Sequence, residues 1–220
     1  MKILAVEFSS PQRSVAVVQA PGGRQGPGVI AHWESALDNS DHRCADALRL
    51  VEQALRKAQI EREEIECVAV GIGPGSYTGI RAAIALAQGW QIARGVKLLA
   101  ISSAECLAEQ ARAEGLFGPL EVVIDAQRNE FYLAGYDISP AASRQTQPLR
   151  LATLAEVQER QRAGGKLIGP DTSRWFPGSR VIFPEAATLG RLALDRSDFI
   201  PGEDLQPIYL REPKFVKYRR

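Results

Sequence analysis

Cysteine, histidine and methionine are scarce in this 220-residue chain, which holds three Cys, two His and one Met. Cys44, Cys67 and Cys106 lie far apart and form no CxxC pair. Their odd, sparse count argues against a disulfide framework and a cysteine-based zinc site, and fits a reducing compartment. His32 and His42 show neither HExxH nor HxxxH spacing, so the paired histidines of a helix-borne metal site are missing. Long apolar runs are absent too. Ile3-Leu4-Ala5-Val6 is broken by Glu7, too short for a signal peptide's apolar region, and no run approaches the ~18 residues of a membrane span. A cytoplasmic protein with no membrane contact is expected. Nor is there an excess of one charge: 27 Lys and Arg against 26 Asp and Glu leave a formal +1. Nonspecific binding to nucleic acid rests on neutralising phosphates, so this chain is a poor candidate for gripping RNA or DNA unaided.

What is present is globular. Hydrophobic residues make up 45% and charged residues 24%, and a chain of this length buries about 70% of its unfolded surface. Ile3 to Val6 and Ser14 to Val18 read as a hairpin, and Val29 to Ser35 as a third strand after the turn-rich stretch Pro21–Gly28. From Asp41 the period becomes helical, with Cys44, Ala47, Leu48, Val51, Ala54, Leu55 and Ala58 on one stripe. A strand over Glu66–Ile72 leads into a helix over Thr78–Arg94, then a strand over Val96–Ile101. A helix capped by Ser102 or Ser103 follows, running to about Glu114. Three strands, helix, strand, helix, strand predicts a mixed sheet with helices packed on it. Glu121-Val122-Val123-Ile124-Asp125 and its return strand Phe131–Tyr136 then repeat the opening pattern about half a chain away. Either a duplicated unit or a chance recurrence of acid-tipped hairpins accounts for this. Ser139 to Leu149 reads as loop, Thr153–Arg162 and Ala186–Asp195 as helices, and Leu167-Ile168 as a short strand.

The densest signal is Gly71-Ile72-Gly73-Pro74-Gly75-Ser76-Tyr77-Thr78-Gly79-Ile80-Arg81, set between a strand and a helix. A P-loop would need lysine, and the dinucleotide fingerprint fails because Ser76 stands where a third glycine belongs. A tight turn with Ser76 or Thr78 as cap is the preferred reading over a phosphate cradle. The helix that follows is rich in small residues, Ala82, Ala83, Ala85, Ala87 and Gly89. It is apolar on more than one face, which points to contacts on two sides.

The opening ILAVEFSS, the segment GIGPGSYTGIRAAIALAQGW, VVIDAQRNEFYLAGY and the late PIYLR together, in that order, resemble the TsaB family, also called YeaZ. The resemblance implies an α/β, two-lobed actin-like or sugar-kinase fold. Each lobe would be an RNase H-like mixed sheet with helices, the second lobe reduced. Residues 1–101 are expected to form the first lobe and 102–220 the second, with a tail able to pack back on the first. It also implies a role in making threonylcarbamoyladenosine on tRNAs that read ANN codons. In that role the family is a noncatalytic partner of TsaD, the threonylcarbamoyl transferase, joined by the ATPase TsaE. ATP and metal are expected on those partners and no cofactor on this chain; a homodimer is possible when the protein is alone, and tRNA is held mainly through TsaD. The family's dimer surface is built from the first two helices. Carried onto this sequence, that names Asp41, His42, Ala45, Leu48, Gly75, Ser76, Tyr77, Thr78, Gly79, Arg81, Ala83 and Ala87.

Two other functions fit the residues less well. An ATP-dependent phosphotransferase of the sugar-kinase type needs glycine in its phosphate hairpins. Glu7-Phe8-Ser9-Ser10 and Asp125-Ala126-Gln127-Arg128 have none, and Glu7 stands where family members often have aspartate. An M22-type metallopeptidase is disfavoured by the histidine count. No GxSxG elbow supports a serine triad. The one local charge excess is the tail from Arg211 to Arg220, with five basic residues against Glu212 and with Phe215 and Tyr218 interleaved. A solvated tail and a tRNA contact both fit it.

Overall fold

The structure, a computed structural model, describes residues 1–19, 28–36 and 43–210, with side-chain surroundings for 1–19 and 47–210. Most of the Pro21–Gly28 turn, Asp41, His42 and the basic tail 211–220 lie outside the described residues. β1 (Lys2–Glu7), β2 (Gln12–Gln19) and β3 (Gly28–Ala36) form the expected meander. α1 (Arg43–Ala58), β4 (Cys67–Gly71), α2 (Tyr77–Arg94) and β5 (Lys97–Ile101) then alternate. The sheet order is β3-β2-β1-β4-β5, antiparallel through the meander and parallel from β1 to β4 to β5.

Strand alternation sorts this sheet's side chains onto two buried faces. Leu4, Val6, Val68, Val70 and Leu98 meet α1 and α2, whose Leu50, Val51, Ala54, Ile80, Ala83, Ile84 and Ala87 complete one core. Ile3, Ala5, Cys67, Ala69, Leu99 and Ile101 face the other way. Both faces are covered, so the strands read as continuous apolar runs rather than alternating ones. Leu48, expected on the α1 core stripe, is 61% exposed, while Leu50 is buried. At about 100° per residue Leu48 sits at the margin of the Ala47–Leu50–Val51–Ala54 face.

α3 (Ser103–Ala113) leads to the second sheet: β6 (Gly118–Asp125), β7 (Glu130–Ile138), β8 (Ser143–Thr153), β9 (Leu167–Gly169) and β10 (Arg180–Val181). Its order is β8-β7-β6-β9-β10, with the same parallel and antiparallel pairings as the first. Glu7 ends β1 and Asp125 ends β6, so the acid-tipped hairpins occupy equivalent places and the repeat is a duplicated architecture. This is the two-lobed actin-like fold. The second copy is reduced: the helix after β8 is α4 (Leu154–Arg162), nine residues against sixteen in α1. After β9 there is only a 3-10 turn at Thr172–Arg174, where α2 has eighteen residues.

The expected loop over Ser139–Leu149 is instead largely strand β8. It runs along the sheet edge with five consecutive exposed residues, contains Pro148, and pairs with β7 through irregular register around Gly135. Period-two alternation is therefore lost, and an edge position tolerates the proline.

The helix that follows each fifth strand crosses to the other copy. Ala104, Leu107, Ala108 and Ala111 of α3 pack on the second sheet with Val122, Ile124 and Ala134. α5 (Ala186–Leu194) returns to cover the open face of the first sheet with Ala186, Ala187, Leu189 and Ala193. Ser14 Oγ on β2 accepts the Ala186 N–H at 2.8 Å, tying the start of α5 to the first hairpin. Gly190 lets α5 lie close on the sheet, since a Cβ there would come within 2.1 Å of Val18 Cγ2 and 3.3 Å of Ala5 Cβ. Gly190→Val is expected to destabilise the protein by about 1–3 kcal/mol through overpacking, read as a lower urea midpoint in equilibrium unfolding.

Candidate functional site

The first hairpin and the glycine-rich segment form one knot of backbone. The chain leaves β4 at Gly71, and a Cβ there would lie 2.0 Å from Glu7 Oε2. A Cβ at Gly75 (φ +149°) would lie 2.1 Å from the Ser9 carbonyl oxygen, and one at Gly79 would lie 2.0 Å from that of Phe8. The three glycines therefore serve close approach, to a carboxylate and to two carbonyls, rather than flexibility. Ser76 caps α2: its Oγ accepts the Gly79 N–H at 3.3 Å, and its own N–H donates to the Ser9 carbonyl at 2.6 Å. At the other end Gly95 adopts the left-handed conformation and donates to the Gln91 carbonyl, a glycine stop.

Glu7 is fully buried in this knot. Oε1 accepts the Ser9 N–H at 2.7 Å, and Oε2 accepts the Ser103 hydroxyl at 2.9 Å, from the first residue of α3. Burial pushes its pKa up from 4.5, only partly opposed by the bonds from Ser9 and Ser103. Asp125 at the second hairpin is half-buried and turns inward on its own loop. Oδ1 accepts the Gln127 N–H at 2.7 Å and Oδ2 the Gln127 side-chain amide at 3.3 Å. Gln127, Arg128 and Asn129 all have φ between 61° and 65°, three successive non-glycine residues in the left-handed region. Burial also raises the thiols, Cys67 to about 12 and Cys106 well above its ordinary value. Among the described residues no group of three or more His, Cys, Asp or Glu side chains could hold a metal ion, and no helix is long and apolar enough to cross a membrane.

The expected partner surface divides. Leu48, Tyr77, Thr78 and Arg81 are exposed, Ser76 is an exposed cap, and Gly75 is half-buried against Ser9. Ala45 lies in α1, its side chain outside the description, and Asp41 and His42 lie outside it altogether. Three of the expected residues do not face outward. Gly79, Ala83 and Ala87 are buried, the two alanines at 0% exposure, because they share the Ile80–Ile84 face that packs on the sheet. The outward face of α2 is instead Thr78, Arg81, Ala85, Gly89 and Ile92, and Ile92 is 87% exposed. Spacing by three and four from Ile80 separates the two faces. Small residues on both of them hid that separation. Tyr209, from the far end of the chain, joins this surface by stacking on Tyr77 at 5.7 Å; nothing local to residue 209 signals it.

The family model described as "TsaD: tRNA N6-adenosine threonylcarbamoyltransferase" matches residues 39–173. The tRNA threonylcarbamoyladenosine biosynthesis protein TsaB of Bacillus subtilis is 27% identical over 177 residues, which is 79% of this chain and 72% of that protein. Its Escherichia coli namesake is 29% identical over 136 residues, 62% of this chain and 55% of that protein. YeaZ from Pseudomonas aeruginosa shares the fold, with a TM-score of 0.76 at 24% identity over 95% of this chain and 99% of that one.

Glu7 sets a pH dependence. Its folded-state pKa lies above the unfolded value, so the native state keeps the proton longer, and the stability tied to that proton is lost as pH rises through the folded-state pKa. Glu7→Gln, which retains an acceptor for Ser9 and removes the buried charge, is expected to gain stability relative to the wild type as pH rises from below 4.5 to neutral. Urea unfolding of both proteins across pH 4 to 8 checks the sign of that difference.

Proposed function

This chain belongs to the family of tRNA N6-adenosine threonylcarbamoyltransferase (TsaD), in its TsaB (YeaZ) branch of threonylcarbamoyladenosine biosynthesis proteins, and from that membership we propose that it is a noncatalytic docking subunit for a TsaD-type transferase acting on ANN-decoding tRNAs. The observation that carries the reading is α2 itself. Its inner face completes the first lobe's core, while its outer face leaves Ala85, Gly89 and Ile92 uncovered; Leu48 of α1 is exposed as well. Small residues let a second helix approach closely, and a large apolar side chain left in water beside them fits a surface that a partner covers. A noncatalytic role draws support from Glu7, whose two oxygens are held in the interior by Ser9 and Ser103. Both hairpins also lack the glycine that would bring backbone N–H groups to a phosphate.

In this reading the first lobe docks, TsaE joins the pair, and tRNA is held mainly by the transferase. The formal charge of +1 agrees with that division. The lobes are proposed as 1–101 and 102–220, with α5 and the segment to residue 210 returned to the first. Reconstitution tests the role: purified TsaD and TsaE homologues of the same organism are expected to leave tRNA largely unmodified until this protein is added. Full modification without it would refute the reading.

A substitution separates docking from folding. A side chain at Gly89 meets open space, with no atom within 4 Å of an added Cβ, and leaving glycine inside an exposed helix gains up to ~1 kcal/mol. Gly89→Glu is therefore expected to keep or raise the melting temperature while weakening TsaD binding by about tenfold or more in titration calorimetry. Ala83→Glu, which forces a charge into the core, is expected to unfold the protein.

A further inference from the structure

The segment after Pro201 straps α2 along its length. Gln88 Nε2 donates to the Gly202 carbonyl at 2.7 Å, the Gly202 N–H donates to Gln91 Oε1 at 2.7 Å, and the Ile208 N–H donates to the Ile72 carbonyl at 2.9 Å. The strap sets Tyr209 against Tyr77 with ring planes 27° apart. One turn further along α2, the Arg81 guanidinium lies over the Tyr77 ring, 5.2 Å from its centroid. Tyr209 and Tyr77 beside it hold its pKa up. A flexible arginine is thus held at the surface over Tyr77, a ring that is itself stacked on Tyr209 from 132 positions further along the chain.

Among the described residues that cation has no ion-pair partner. Arg62, Arg112, Arg150 and Arg180 each pair with a glutamate. Among the described residues no carboxylate pairs with Arg81, and neither α2 nor residues 205–210 contain an acid. We propose that Arg81 is a preorganised anchor that receives a carboxylate of the TsaD-type partner, a role that rests on the docking reading above. A guanidinium offers a planar, two-pronged donor to a carboxylate. Fixing it beforehand removes much of the ordering cost of binding. Arginine and tyrosine dominate the energetics of protein interfaces. The anchor is also continuous with the apolar stripe of Ala85, Gly89 and Ile92, which suits a protein surface rather than an RNA strand.

The test compares Arg81→Lys, which keeps the charge and loses the planar fork, with Arg144→Lys on the exposed edge strand of the other lobe. Calorimetry with the purified TsaD homologue is expected to show about tenfold weaker binding for Arg81→Lys, more for Arg81→Glu, and less than a twofold change for Arg144→Lys. The binding constant of Arg81→Glu is also expected to depend less steeply on salt than that of the wild type. Melting temperatures check that each variant folds. Wild-type affinity retained by Arg81→Lys and Arg81→Glu would overturn the anchor. So would weakened tRNA binding with partner affinity unchanged, which would assign Arg81 to RNA. Failure of the wild type itself to bind the homologue would instead overturn the docking reading beneath it.

Discussion

The contact of the first hairpin with the start of α2 is the constraint on which the rest of the first lobe depends. Gly75 and Gly79 bring α2 within touching distance of the Ser9 and Phe8 carbonyls, and Gly71 leaves room for the Glu7 carboxylate. Glu7 in turn holds the first residue of α3 through Ser103. One buried carboxylate and three missing Cβ atoms thereby set the position of two helices against one hairpin. The same contact fixes the roll of α2. Ile80, Ala83, Ile84 and Ala87 go inward, and Arg81, Ala85, Gly89 and Ile92 go outward. A docking surface made of so few large side chains depends on that roll, because a helix turned by about half a turn would present the core alanines instead.

The acids at the tips of the two hairpins occupy equivalent places in the two sheets and meet two different physical fates. Glu7 has been drawn into the interior, where desolvation raises its pKa. Asp125 stays half-exposed and organises its own turn by accepting from Gln127, while Gln127, Arg128 and Asn129 hold left-handed backbone. In both places the side chain that ends the strand is engaged with nearby protein atoms.

Much of this was legible in the sequence, and the reasons for the failures are specific. β1, β4 and β5 read as buried strands because both of their faces are covered, and α2 was bounded by Ser76 and Gly95 acting as cap and stop. β8 was not legible: an exposed edge strand with a proline and an irregular register has no periodicity to read. The outward face of α2 was half legible. Alanine and glycine occupy both faces, so the hydrophobic pattern that separates core from surface in α1 is nearly flat there. Tyr209 was invisible as a site residue, since its neighbours in space lie more than a hundred positions away. The repeat was readable as a pattern, but only identical strand order and pairing in both sheets distinguish duplication from coincidence.

The exchanged helices have a consequence for synthesis. A chain made from its N-terminus completes all five strands of the first sheet by residue 101, yet one face of that sheet still shows Ile3, Ala5, Ala69, Leu99 and Ile101. The helix that covers them follows only at Ala186–Leu194, after the second sheet. The half made first must wait, apolar face uncovered, while the second sheet is built. That interval is when aggregation or chaperone capture competes with folding. The first sheet's core is thus closed by a helix that follows the second sheet in sequence.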